Sequence, residues 1–121
     1  MKFNEILKNL REDRGYTQRE LAKVLNVTKS SICHYEQEIS MPSIDVLIGM
    51  AKVFDVTLDY LLGRTEFNLP DTRLKKAFGN RKSVGELLEM LIMLDNSHRA
   101  DLMKVLYYIQ ADNNNPKRTK R

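Results

Sequence analysis

Few side chains in this 121-residue chain can do chemistry, and their spacing excludes most kinds of it. No Ser, His and acid arrangement, Gly-rich phosphate loop or His-Glu-x-x-His stands at usable spacing, so the chain is not expected to be an enzyme. The single cysteine, Cys33, can form no internal disulfide and no multi-cysteine metal site, which fits a reducing compartment. No metal or other cofactor is expected, and a lone thiol reads as a small tolerated residue rather than a redox sensor. What is left is hydrogen bonding and ion pairing, concentrated between Gly15 and Glu36. Lys29 can only donate, Ser30 donates or accepts, and His34 does either according to its tautomer.

Helices must hold these residues. Thr17 with Glu20 three residues on forms a capping box, and Tyr16 before it can staple onto Leu21, so one helix starts at Thr17 and buries Leu21, Ala22 and Leu25. Eleven residues later Thr28 supplies the next N-cap, with Val27 and Ile32 as its staple. Asn26, between the two, stands where the chain turns sharply and tolerates the positive φ such a turn needs. Two short helices joined in this way make a helix-turn-helix. Before them, Phe3, Ile6, Leu7 and Leu10 repeat at helical spacing up to a stop at Gly15. After them, Pro42-Ser43 opens a fourth helix with an apolar stripe of Ile44, Leu47, Ile48, Ala51 and Phe54, and Val56-Thr57 with Leu61 starts a short fifth helix ending at Gly63. Nothing up to Gly63 reads as strand, and the stripes read as core rather than as a cofactor pocket.

With these features in order, the segment from Ile6 to Gly63 resembles the Cro/CI type of helix-turn-helix transcriptional regulator (XRE-like), a five-helix DNA-binding domain of bacteria and phages. The matching residues are Leu10-Arg11, Thr17-Gln18-x-Glu20-Leu21-Ala22, Val27-Thr28-x-Ser30-x-Ile32, Glu36, Pro42-Ser43 and Leu61-Leu62-Gly63. The resemblance implies that the N-terminal half of the second motif helix enters the major groove of double-stranded DNA. It implies base contacts from Lys29, Ser30 and His34, with Cys33 nearby, and phosphate contacts from Gln18, Ser31 and, more weakly, Gln37. Arg11 and Glu36 match positions of a structural ion pair between the first and third helices. One departure stands out: where the family usually has Gly after the third helix, this chain has Glu38, which must either adopt positive φ or change how that helix ends. It also brings negative charge toward the expected phosphate contacts.

Beyond Gly63 the pattern loses periodicity. Residues 64–82, with Pro70 and Gly79, read as a basic linker that holds a short helix around Thr72 to Phe78. Ser83 and Glu86 form another capping box, and the helix that follows carries Leu87, Leu88, Met90, Leu91, Ile92 and Leu94 almost all round. Asp95-Asn96-Ser97 breaks it, and a last helix presents Leu102, Val105, Leu106 and Ile109 before ending near Asp112. A hairpin over 83–112 is too small to bury that much apolar surface alone, so it is expected to dimerise through Leu87, Leu91, Leu94, Leu102, Leu106 and Ile109 rather than fold back on the first domain. Residues 113–121 read as a basic disordered tail.

Charge is distributed unevenly. Residues 1–63 carry 8 Lys and Arg against 9 Asp and Glu, whereas 64–82 carry 6 against 2, 83–112 carry 2 against 5, and 113–121 carry 4 against none. Because DNA affinity needs cations near phosphates, Lys75, Lys76, Arg81, Lys82 or the tail is expected to supplement the first domain. No leader segment is recognisable, and the run from Leu87 to Leu94 is too short for a membrane, so a cytoplasmic protein without membrane contact is expected.

The expectation is therefore an all-α regulator. It has a helix-turn-helix domain over 1–63, a linker and a C-terminal helical hairpin, and acts as a repressor that binds a palindromic operator as a homodimer with half-sites about 34 to 36 Å apart or a multiple of that. The second half is too short for the self-cleaving peptidase domain of some phage repressors, so relief would need an antagonist protein, a ligand or degradation. The alternative is an interaction scaffold or antitoxin whose hairpin binds a partner protein.

Overall fold

The computed structural model describes residues 1–115 and 117 and divides into two units, Met1–Arg73 and Leu74–Arg121. The first unit contains α1 (Phe3–Asp13), α2 (Gln18–Leu25), α3 (Lys29–Glu36), α4 (Ile44–Phe54) and α5 (Leu58–Leu61). Their ends are set by local chemistry. The hydroxyls of Thr17, Thr28, Ser43 and Thr57 accept the backbone N–H groups of Glu20, Ser31, Val46 and Tyr60 at 3.1 to 3.3 Å. Only half of the capping box at Thr17 forms, because the Glu20 carboxylate takes the Thr17 hydroxyl at 3.2 Å instead of its backbone N–H.

The core joins Phe3, Ile6, Leu7 and Leu10 of α1 to Leu21 and Ala22 of α2, Ile32 and Tyr35 of α3, Met50 and Phe54 of α4, then Val56 and Leu61. The Tyr16 and Phe54 rings meet in a T-shaped contact, centroids 6.5 Å apart. The stripe expected on α4 is corrected: Ile44 is 73% exposed and Ile48 38%, while Met50 is fully buried. This helix is apolar on nearly every side, so periodicity left its buried face undetermined. Two left-handed residues shape the frame of the motif. Asn26 turns the chain between α2 and α3 at φ 56°, and Gly63 at φ 75° lies so near the Met1 carbonyl that a Cβ would stand 2.4 Å from it.

The segment expected to be an open linker divides between the units. Residues 64–73 are tied to the first: Asn68 accepts the Thr57 N–H and donates to the Asp55 carbonyl, Thr72 donates to the Asp55 carboxylate at 2.8 Å, and Pro70 is buried. The helix expected around Thr72 to Phe78 is instead the single turn α6 (Asp71–Leu74), and Phe78 lies in a strand. Strands β1 (Ala77–Gly79) and β2 (Lys82–Ser83) pair antiparallel across the two-residue loop Asn80-Arg81, whose φ values of 47° and 60° suit a type I′ turn. The fold remains all-α apart from this small ribbon.

In the second unit Ser83 and Glu86 complete the reciprocal box that opens α7 (Val84–Ile92). The break before the last helix is shorter than expected, since Asp95 caps α8 (Asn96–Asn113) directly and Asn96 and Ser97 are already helical. Leu87, Leu91, Leu94 and Leu102 are half-buried, Leu106 and Ile109 are exposed, and no described residue of this unit is fully buried. No described helix is long and apolar enough to cross a membrane. Of the expected tail, Pro116 and 118–121 lie outside the described residues.

Candidate nucleic-acid interface

At about 100° per residue, α3 sets Lys29, Ser30, Cys33, His34 and Gln37 within one arc of its surface, opposite Ile32 and Tyr35 in the core. Four of these, Lys29, Ser30, Cys33 and His34, line a single shallow depression, and Gln18 joins them from the first turn of α2. Lys29, Ser30 and His34 are exposed, and Cys33 and Gln18 half-buried. Five of the residues singled out from sequence are thus brought together, offering an ammonium, a hydroxyl, a thiol, an imidazole and an amide to one outside surface.

The other two phosphate candidates do not line it. Ser31 is half-buried with its hydroxyl 2.9 Å from that of Thr28, where it extends the cap of α3. Gln37 is the exposed C-cap residue of the same helix.

Arg11 and Glu36 fix the far end of α3. The Arg11 Nε lies 2.5 Å from one Glu36 oxygen and Nη2 3.3 Å from the other, while Nη1 donates to the Tyr16 carbonyl at 2.9 Å. The side chains keep only 11% and 6% of their surface, so one fork holds α1, the turn before α2 and the end of α3 away from water. Gln18 adds a partner that sequence reasoning missed, donating to Glu36 at 2.7 Å and keeping one N–H and its carbonyl for an outside group. The Asn4 amide also donates to the Glu36 carbonyl, at 3.4 Å. No spacing rule marks Asn4, a polar residue between two core positions of α1, and only the packing of α1 on α3 reveals it.

Glu38 takes the positive φ expected of a glycine, at 61°, and closes α3 with the Ile39 N–H on the His34 carbonyl at 2.9 Å. Its carboxylate lies 3.5 Å from Lys2 Nζ. With Glu36 bound by Arg11, neither acid is left without a cation.

The family model described as Helix-turn-helix matches residues 7–61. The HTH-type transcriptional regulator YobD of Bacillus subtilis is 31% identical over 114 residues, 89% of this chain and 96% of YobD. The chain belongs to the helix-turn-helix transcriptional regulators. The HTH-type regulator ImmR of the same organism is 36% identical over 66 residues, 54% of this chain and about half (52%) of ImmR. Solved structures agree in fold. A transcriptional regulator from Listeria innocua covers 94% of this chain with TM-score 0.52 and 23% identity, and 97% of that protein is matched. The P22 c2 repressor bound to a synthetic operator covers 51% with TM-score 0.50 and 24% identity, and 94% of it is matched. The first unit of this regulator is accordingly a Cro/CI-type DNA-binding fold, and its function is transcription regulation rather than catalysis.

Proposed function

We propose that this regulator is a repressor that binds a partly palindromic operator as a homodimer. Lys29, Ser30 and His34 read base edges, Cys33 packs beside them, Gln18, Ser31 and Gln37 contact phosphates, and the α7–α8 hairpin joins two copies. The observation that carries the reading is the convergence of Lys29, Ser30, Cys33, His34 and Gln18 on one open depression at the start of α3. A helix presented in this way fits the major groove, where a lysine can donate to guanine O6 or N7 and a serine to either partner. Dimerisation is supported by the second unit, in which Leu87, Leu91, Leu94 and Leu102 are only half-buried and Leu106 and Ile109 exposed. The P22 c2 repressor, of the same fold, was solved on an operator.

The test is selection of fragments from a random duplex library by the purified protein at near-physiological salt, followed by a reporter carrying the enriched sequence. Enrichment of an inverted repeat and lowered reporter output support the reading and give the half-site spacing. Retention of DNA with no enriched sequence would overturn it and favour an interaction scaffold whose hairpin binds a partner protein.

A further inference from the structure

The first unit is a poor polyanion binder by charge: residues 1–73 carry 10 basic and 11 acidic side chains. The next stretch is different. Residues 74–82 hold Lys75, Lys76, Arg81 and Lys82 and no acid, and 75–82 are all exposed. Among the described residues, none forms an ion pair with Lys76, Arg81 or Lys82.

These cations sit on the β1–β2 ribbon, and its backbone is unusual where they are. The tip is Asn80-Arg81, and Arg81 has φ 60°, a conformation for which type I′ turns favour glycine. A left-handed arginine at an exposed tip is a strained backbone position, the kind of outlier from which a binding role can be argued. Opposite it the register slips, because Phe78 is an extra residue between the pairs Ala77 with Ser83 and Gly79 with Lys82, and its ring is 67% exposed. The base of the ribbon is held: the Val84 N–H donates to the Lys76 carbonyl at 2.9 Å, and Ser83 caps α7.

We propose that the β1–β2 ribbon is a second DNA contact of this regulator, in which Arg81 at the tip, flanked by Lys82 and Lys76, binds backbone phosphates. The guanidinium matches a phosphate bidentately, and contacts of this kind add affinity without sequence preference. The inference rests on DNA binding through α3 and supplies the counterion release that the nearly neutral first unit lacks.

The test compares wild type, Arg81→Gly, Arg81→Lys and the triple variant Lys76→Ala/Arg81→Gly/Lys82→Ala on the enriched duplex and on a scrambled duplex, measuring affinity against salt. Glycine suits the left-handed position, so Arg81→Gly removes the cation and leaves the turn. It should lower the slope of log affinity against log salt by about one per protomer on both duplexes, and the triple variant by about three. Arg81→Lys should keep the slope. Unchanged slopes in Arg81→Gly and the triple variant, with wild type still selecting its operator, overturn the ribbon contact and spare the reading of α3. A slope lost equally in Arg81→Lys, or a loss of self-association in place of salt dependence, also overturns it. If wild type retains no DNA, both fail.

Discussion

Lys29 stands at the N-terminal end of α3, exposed, in the depression that also holds Ser30 and His34. If it donates to a base edge, Lys29→Ala should cost about 1–3 kcal/mol against the matched base pair and relax preference at that position alone, read by affinities for the operator and its single-base variants. A uniform loss on all sequences would make Lys29 a phosphate contact instead. Glu36 behaves differently because it faces Arg11 and Gln18 out of solvent. Glu36→Ala strands a nearly buried guanidinium, with the Tyr16 carbonyl and a 3.7 Å approach to Glu12 as its remaining partners, and should lower stability by about 3 kcal/mol in urea unfolding. A loss below about 1 kcal/mol would mean that water replaces the carboxylate. At this scale the grouping of Lys29, Ser30, Cys33 and His34 was legible in the sequence, because one helical turn fixes their common face. The bond from Gln18 to Glu36 was not, since an amide at the start of α2 reaches Glu36 only through the angle at which α2 packs on α3.

Helices α2 to α5 begin at hydroxyls, α7 at the Ser83 hydroxyl and α8 at the Asp95 carboxylate, and Asn26, Glu38 and Asp55 all end helices with positive φ. Of these Glu38 carries the largest penalty, since Asn and Asp visit that region more readily than a longer side chain, for which it costs about 1–2 kcal/mol, and its exposed partner Lys2 returns little. Glu38→Gly should therefore stabilise the first unit by about 1 kcal/mol, measured as a higher urea midpoint at constant slope. A destabilised variant would show that the Lys2 pair is the stronger effect. The cap of α8 adds a pH dependence. The His98 N–H and imidazole, on the Asp95 carboxylate at 2.8 Å each, hold that acid below its ordinary value. A depressed carboxylate contributes stability that is complete above its unfolded value, about 3.9, and is lost as pH falls through the lower folded value. The His98 amide resonance should accordingly titrate with a midpoint below about 3.9, and Asp95→Asn should abolish that titration. Helix starts were legible because caps are local chemistry, whereas the buried face of α4 and the ribbon at 77–83 were not. An all-apolar helix has no preferred face in sequence, and a two-residue turn without an Asn-Gly pair is weakly marked.

At the scale of the whole molecule the two units differ in how they handle apolar surface. The first has its own core, with Leu7, Leu21, Ile32, Met50, Phe54 and Leu61 all but fully covered. The second has no fully buried described residue and exposes Met93 at 84%, Tyr108 at 75%, Ile92 at 70%, Leu106 at 46% and Ile109 at 46%. The proposed homodimer would cover this surface with a second copy, whereas a monomer would leave it solvated. Leu106→Glu with Ile109→Glu separates the cases. In a monomer whose α8 is simply solvated, two substitutions at half-exposed sites should change stability by less than about 1 kcal/mol and leave the sedimentation coefficient unchanged. In a homodimer, four carboxylates enter one apolar contact, and sedimentation equilibrium should show the variant as a monomer at concentrations where wild type is a dimer. The wild-type melting temperature should also rise with protein concentration, and that of the variant should not. Operator affinity would then fall toward that of one half-site, because two linked motifs bind with an effective concentration that separate ones lack. A variant that stays dimeric would move the interface away from α8, and a wild type monomeric at every concentration would leave the hairpin to a different protein.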